Sequence, residues 1–228
     1  YGFGPHPEPD PEWEALGVDA PDPDDERDAD GEPKRDPVEM RDSPEMEEST
    51  DYAFAPTVPV ADGEVVEVAG MTFTAVHTPG HTSNHLCWGF AEERALFSGD
   101  HIMGWSTTVV SPPDGDMAAY IASLEKIAAR DDEVVWPTHG PPRRDAQEYV
   151  PALVEHRLQR EAAVLDAVCA GRSSIRDIVE LLYVETPRPL HKAARRSVWG
   201  HMIKLVGDGA VTTADAGPPG IQSVYVPA

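Results

Sequence analysis

The sequence predicts an α/β protein that ends in a small helical module, and three observations carry that prediction. Short apolar runs separated by turn residues fill residues 57–98. A run with apolar residues at helical spacing, 117–130, is then followed by another strand-like run, 133–136. After about Arg143 the pattern changes to three amphipathic helices and a hairpin. The 228 residues therefore divide into an acidic, Pro-rich loop or insertion over 1–56, an α/β region over 57–148 and a helical region over 149–228.

In the first segment, residues 1–51 hold 19 Asp plus Glu against 4 Lys plus Arg, a net of −15 out of a chain total of −23. Such composition buries too little apolar area to offset the entropy of ordering, so it reads as a solvated segment. The charge also argues against a nonspecific binder of nucleic acid. Cys87 and Cys169 both lie in apolar runs and read as buried, reduced thiols rather than a disulfide. No apolar run approaches the roughly 20 residues of a membrane span, and cytoplasm is the default location.

Thr57–Val60, an Ala-Asp-Gly turn and Glu64–Val68 read as a hairpin. Ala69-Gly70 turns the chain into a strand over Met71–Val76, followed by strands over His85–Phe90 and Ala95–Ser98. The short links make these antiparallel neighbours. Asp116 is placed to cap a helix with Met117, Tyr120, Ile121, Leu124 and Ile127 on one face, and a strand over Glu133–Trp136 follows. Further helices are expected over Tyr149–Cys169, Ser173–Leu182 and Leu190–Val206, then a hairpin of Val211–Thr213 with Ile221–Val226. Three helices and a hairpin make a winged helix.

Three of the strand-like runs end in residues able to bind metal. Thr78-Pro-Gly-His81 follows the first, Ser98-Gly-Asp100 closes the second, and Thr138-His139-Gly140 closes the third. Imidazole and carboxylate on rigid strand ends suit Zn²⁺, which takes N and O ligands near 2 Å. His77 and His85 read as structural. His101 is a candidate to support Asp100 from behind. Trp105–Thr108 read as loop packing, with pocket lining as the alternative, and Arg195 and Arg196 as a solvated helix face. No serine nucleophile has recognisable partners, and no Gly-rich phosphate loop is present.

Taken in order, Thr-Pro-Gly-His81, Ser-Gly-Asp100 and His139-Gly-Pro resemble the metallo-β-lactamase superfamily, αββα hydrolases that include glyoxalase II. The tail motifs His156-Arg-Leu-Gln-Arg-Glu161 and His201-Met-Ile-Lys-Leu205 resemble the β-lactamase-like protein 2 subgroup, which carries a C-terminal winged helix. The resemblance implies that His81 binds a first metal, Asp100 bridges two, and His139 binds the second. It implies two Zn²⁺ ions that activate water against an ester, thioester or similar bond in a small-molecule substrate. Single-stranded RNA cleavage is the alternative, and a noncatalytic half-domain that binds a partner through its winged helix is a second. A homodimer surface on the tail is a further candidate. The superfamily's upstream His-x-His-x-Asp-His motif is missing from this sequence. The chain, which begins at Tyr1, therefore reads as the second half of the domain plus its tail, and as inactive by itself.

Overall fold

The computed structural model divides the chain into two units, residues 1–57 and 58–228, and the structure describes residues 58–228. The acidic segment predicted over 1–56 lies outside the described residues. The second unit opens with a five-stranded sheet in the order β1-β2-β3-β4-β5: β1 (Val65–Val68), β2 (Met71–His77), β3 (Leu86–Phe90), β4 (Ala95–Gly99) and β5 (Val134–Pro137). The first four strands form an antiparallel meander, and β5 joins β4 in parallel. The Ala69-Gly70 turn has φ of 54° and 81°. Two successive left-handed residues match the right-handed twist of a tight hairpin.

The hairpin expected from Thr57–Val60 with Glu64–Val68 does not form. Residues 58–60 are not a strand, and β1 pairs instead with β2, Val65 opposite Thr74. Pro59 has no N–H to offer a ladder. The Ala61–Gly63 turn is used to start β1 and is tied to β2: Gly63 N–H donates to Ala75 O, and the Asp62 carboxylate accepts from His77 N and Lys126 Nζ.

α1 (Met117–Ala128) makes the crossover from β4 to β5. Asp116 caps it as expected, its side chain accepting from Ala119 N at 2.8 Å, a contact worth about 1 kcal/mol. Met117, Tyr120, Ile121, Leu124 and Ile127 pack onto Val76, Cys87, Leu96 and Val135 from the inner face of the sheet. The opposite face carries aromatic residues, with the Phe73 and Phe90 rings stacked at 5.1 Å and Phe97 and Trp136 about 40% exposed.

The helical region holds α2 (Ala146–Cys169), α3 (Ile175–Leu182) and α4 (His191–Gly207), then β6 (Val211–Thr213) paired antiparallel with β7 (Tyr225–Pro227). The α/β class and the three-helix-plus-hairpin tail are as the sequence predicts. α2 belongs to both cores. Its first half gives Tyr149, Val150 and Leu153 to the core beneath the sheet, and its second half gives Val164, Ala167 and Val168 to the core shared with α3, α4, β6 and β7. Arg157, 4% exposed, lies between the two sets.

Candidate metal centre

The turn that presents His81 is set by steric necessity. Gly80 has φ +141°, and a Cβ there would lie 2.3 Å from Tyr120 Cα. Only glycine permits both that backbone and that approach. The carbonyls on either side anchor the turn to the start of α1: Ser123 Oγ donates to Pro79 O and Asp116 N donates to Gly80 O. His81 itself donates from Nδ1 to the Val109 carbonyl at 2.6 Å. A carbonyl can only accept, so the proton sits on Nδ1 and the lone pair on Nε2. That Nε2 lies 4.0 Å from Asp100 Oδ2.

Asp100 follows Gly99, which ends β4 in a left-handed conformation (φ +55°). The carbonyl of Asp100 accepts from the Thr108 hydroxyl. Its other carboxylate oxygen, Oδ1, lies 3.5 Å from His139 Nε2. That proximity is a product of topology. β4 and β5 run parallel with Gly99 opposite Pro137, so the residues just past both strand ends are neighbours. Gly104 N donates to His139 O, and at Gly140, whose φ is +90°, an added Cβ would lie 3.0 Å from Gly104 Cα.

The structure therefore brings His81, Asp100 and His139 together, with Asp100 in the middle. It also adds His85, which the sequence reading set aside as structural. Register places His77 opposite Leu86, so His85 falls beside Thr78, and their Nδ1 and Oγ1 atoms lie 2.8 Å apart. Its ring is edge-on to His81 at 6.4 Å and 5.6 Å from that of His101. Burial, reinforced by His81, holds its pKa below the ordinary value, while Asp100 opposes that shift. His77 is exposed and donates from Nε2 to Ser83 O. His101 is fully buried against Tyr120, whose hydroxyl donates to the His101 carbonyl. Both its ring nitrogens lack a hydrogen-bond partner, and burial lowers its pKa to about 3. Of Trp105–Thr108, Trp105 is exposed, whereas Thr108 is buried and bonded to Asp100, so Thr108 acts in loop packing.

These groups suit a metal ion. Zn²⁺ bonds near 2.1 Å and tetrahedral angles put two donors roughly 3.4 Å apart, close to the Asp100–His139 separation of 3.5 Å. The Asp100 Oδ1 atom is buried without a hydrogen-bond partner, a costly state for a carboxylate oxygen that a cation would relieve. The His81 Nδ1–H bond to a carbonyl is the arrangement metal-binding imidazoles adopt. Among the described residues, no three His, Cys, Asp or Glu side chains are grouped so as to hold a metal.

The α/β fold, with imidazole and carboxylate on adjoining strand ends, is specified further by comparison with known proteins. The family described as "Metallo-beta-lactamase superfamily" matches residues 5–139, ending on His139. The "Beta-lactamase associated winged helix domain" matches residues 174–217. The chain belongs to the metallo-beta-lactamase superfamily and carries that winged helix at its C-terminal end. The Beta-lactamase-like protein 2 homolog of Caenorhabditis elegans is 36% identical over 153 residues, covering 67% of this chain and 50% of that protein. An atrochrysone carboxyl ACP thioesterase of Aspergillus chevalieri is 33% identical over 161 residues, covering 67% of this chain and 51% of that protein. The chain thus spans about half the length of these curated relatives. A crystal structure of a beta-lactamase domain protein from Burkholderia ambifaria superposes with a TM-score of 0.67 at 23% identity, over 77% of this chain and 54% of that one. At that identity the likeness shows the fold.

Proposed function

We propose that His81, Asp100 and His139 are ligands of a two-metal centre, with zinc suited to the donor set, in a hydrolase that cleaves a thioester or ester of a small-molecule substrate. The observation that carries this reading is the division of the Asp100 carboxylate, one oxygen 4.0 Å from His81 and the other 3.5 Å from His139. When bound, the ions act as Lewis acids that lower the pKa of water toward neutrality. The chain's own residues hold the donors. Asp100 would serve both ions, His81 one and His139 the other. The Val109 carbonyl keeps the His81 lone pair on Nε2, and the Thr108 hydroxyl fixes the Asp100 backbone. The thioester preference is supported by the relative that bears the name of a thioesterase. A net charge of −23 weighs against RNA, a polyanion, as substrate.

Each ion would find two protein donors here, whereas a catalytic zinc takes about three plus water. Further ligands would come from outside these three residues, and this chain should bind zinc weakly and not turn over. The test compares this chain with the full-length gene product, each with Asp100→Ala, by metal content and hydrolysis of an acyl thioester. The full-length protein should take up metal and turn over, and lose both on substitution. Unchanged metal content and activity after loss of Asp100 would overturn the reading.

A further inference from the structure

The segment between Asp100 and Asp116 touches both proposed ligands through two adjacent residues. Thr108 holds the Asp100 carbonyl through its hydroxyl, and Val109 holds His81 through its own carbonyl. What holds residues 108–109 is the helical tail. Arg157 Nη2, from α2, donates to the Thr108 carbonyl at 2.5 Å. Its guanidinium lies 5.2 Å from the Tyr120 ring centroid, and the Tyr120 hydroxyl holds the His101 carbonyl. Two further tail residues grip the same segment: Tyr149 OH donates to Met103 O, and Arg196 Nη1 donates to Ser111 Oγ. Arg157 is the one among them that bonds directly to the 108–109 pair. A buried guanidinium is costly to desolvate, so its placement at the junction of the two cores, bonded to the Thr108 carbonyl, points to a role beyond filling space.

We propose that Arg157 is a positioning residue for the metal centre: by fixing the Thr108–Val109 peptide, it sets the tautomer of His81 and the placement of Asp100, and so makes metal affinity depend on the helical tail. The proposal rests on the reading of His81 and Asp100 as ligands. Its first readout is made without metal, so the two can fail separately.

The test uses the full 228-residue chain and its full-length gene product, with Arg157→Met as the variant and Arg160→Met as control. Arg160 lies one turn further along α2 and stacks on Tyr183 within the tail, at 4.4 Å. In alkaline, metal-free buffer, nitrogen-15 NMR of the imidazoles of the 228-residue chain should show His81 as the Nδ1–H form in the parent and in R160M. In R157M a mixture of the two tautomers should appear. In the full-length protein, competition with a chromophoric chelator should show Zn²⁺ affinity falling by roughly 10- to 100-fold for R157M, as for loss of a partner behind a ligand, and by less than about 2-fold for R160M. If R157M fails to fold, Arg157→Gln, whose amide is too short to reach Thr108, is read by the same criteria. An unchanged His81 tautomer in a folded Arg157 variant would overturn the proposal, as would a parent His81 protonated on Nε2. Equal loss of affinity in R160M would assign the effect to tail stability instead and overturn it as well.

Discussion

The Nδ1 atom of His81 and the carbonyl oxygen of Val109 lie 2.6 Å apart across 28 residues of sequence. This bond decides which nitrogen of His81 is available to a metal. It also ties the His81 turn to the same segment that holds Asp100, so neither proposed ligand is oriented by its own strand alone.

Removing a proposed ligand should separate function from folding. The Asp100 side chain is 34% exposed and its Oδ1 lacks a hydrogen-bond partner. In the full-length protein, Asp100→Asn should lower metal affinity by more than about 100-fold, beyond the range typical of a residue behind a ligand. Thermal unfolding of the metal-free protein should shift by little or move upward, because the substitution removes a poorly compensated charge. Chelator competition and a melt of the metal-free protein measure the two effects.

His85, at the same site, should behave differently. Its Nδ1 contacts Thr78, and its Nε2 lies where a Cβ on Gly99 would come within 2.7 Å. His85→Gln should weaken metal binding by no more than about 10- to 100-fold, through displaced neighbours rather than a lost ligand. A complete loss of one metal equivalent would make His85 a ligand itself.

The three strand ends were legible because the turn chemistry is local. Gly80, Gly99 and Gly140 each adjoin one of the proposed ligands, His81, Asp100 and His139. Helix α1 was equally legible, since the capping Asp116 and the periodic Met117-Tyr120-Ile121-Leu124-Ile127 face lie within one stretch. His85 was not, because its place depends on the β2–β3 register, which no local pattern encodes. Val58 and Val60 resembled strand residues, yet β1 found a partner across the tighter Ala69-Gly70 turn. Arg157 stands out in the sequence only as part of the His156–Glu161 tail motif, which carries no sign of burial. Its burial arises from Thr108 and Tyr120, 49 and 37 positions earlier in the chain.

Acid should destabilise the tail in a defined window. Burial, with help from Arg157, Arg160 and His201, lowers the His156 pKa to about 4, against 6.5 for an ordinary imidazole. The folded state therefore prefers neutral His156. Its contribution is constant above pH 6.5 and is lost as pH falls from 6.5 toward 4, because the unfolded chain takes up the proton first. Urea denaturation at pH 7.5 and pH 5 should show a drop that His156→Gln reduces by about 1 kcal/mol, the full linkage being cut by solvent screening of a partly exposed imidazole. A drop of unchanged size would mean other groups carry the acid sensitivity.

The helical tail should bind nucleic acid poorly despite its basic residues. Lys192, Arg195 and Arg196 lie on α4, but Arg196 already donates to Ser111 Oγ, in the segment beside the proposed ligands. The whole chain carries −23, so neutralising phosphate would have to overcome a repulsive field. Fluorescence anisotropy with a labelled single-stranded RNA at physiological salt should give a dissociation constant weaker than about 10 µM, no tighter than ordinary nonspecific binding. Sub-micromolar binding would move the substrate toward RNA.

Two glycine substitutions should show that the His81 turn is constrained by packing as well as by backbone. Gly80 and Gly171 both have positive φ, +141° and +89°. At Gly171, which ends α2, nothing lies within 4 Å of an added Cβ. Gly171→Ala should therefore cost only the left-handed penalty of about 1–2 kcal/mol. At Gly80 the new methyl would lie 2.3 Å from Tyr120 Cα and 2.6 Å from Tyr120 N, inside the backbone of α1. Backbone cannot rotate away as a side chain can, so the His81 turn and α1 must separate. Gly80→Ala should cost about 3 kcal/mol or more. It should also break the Ser123–Pro79 and Asp116–Gly80 hydrogen bonds, moving His81 off the Val109 carbonyl. Chemical denaturation gives the energies, and the His81 imidazole resonances report the displacement. Equal destabilisation by the two substitutions would show that the close approach to Tyr120 relaxes at little cost.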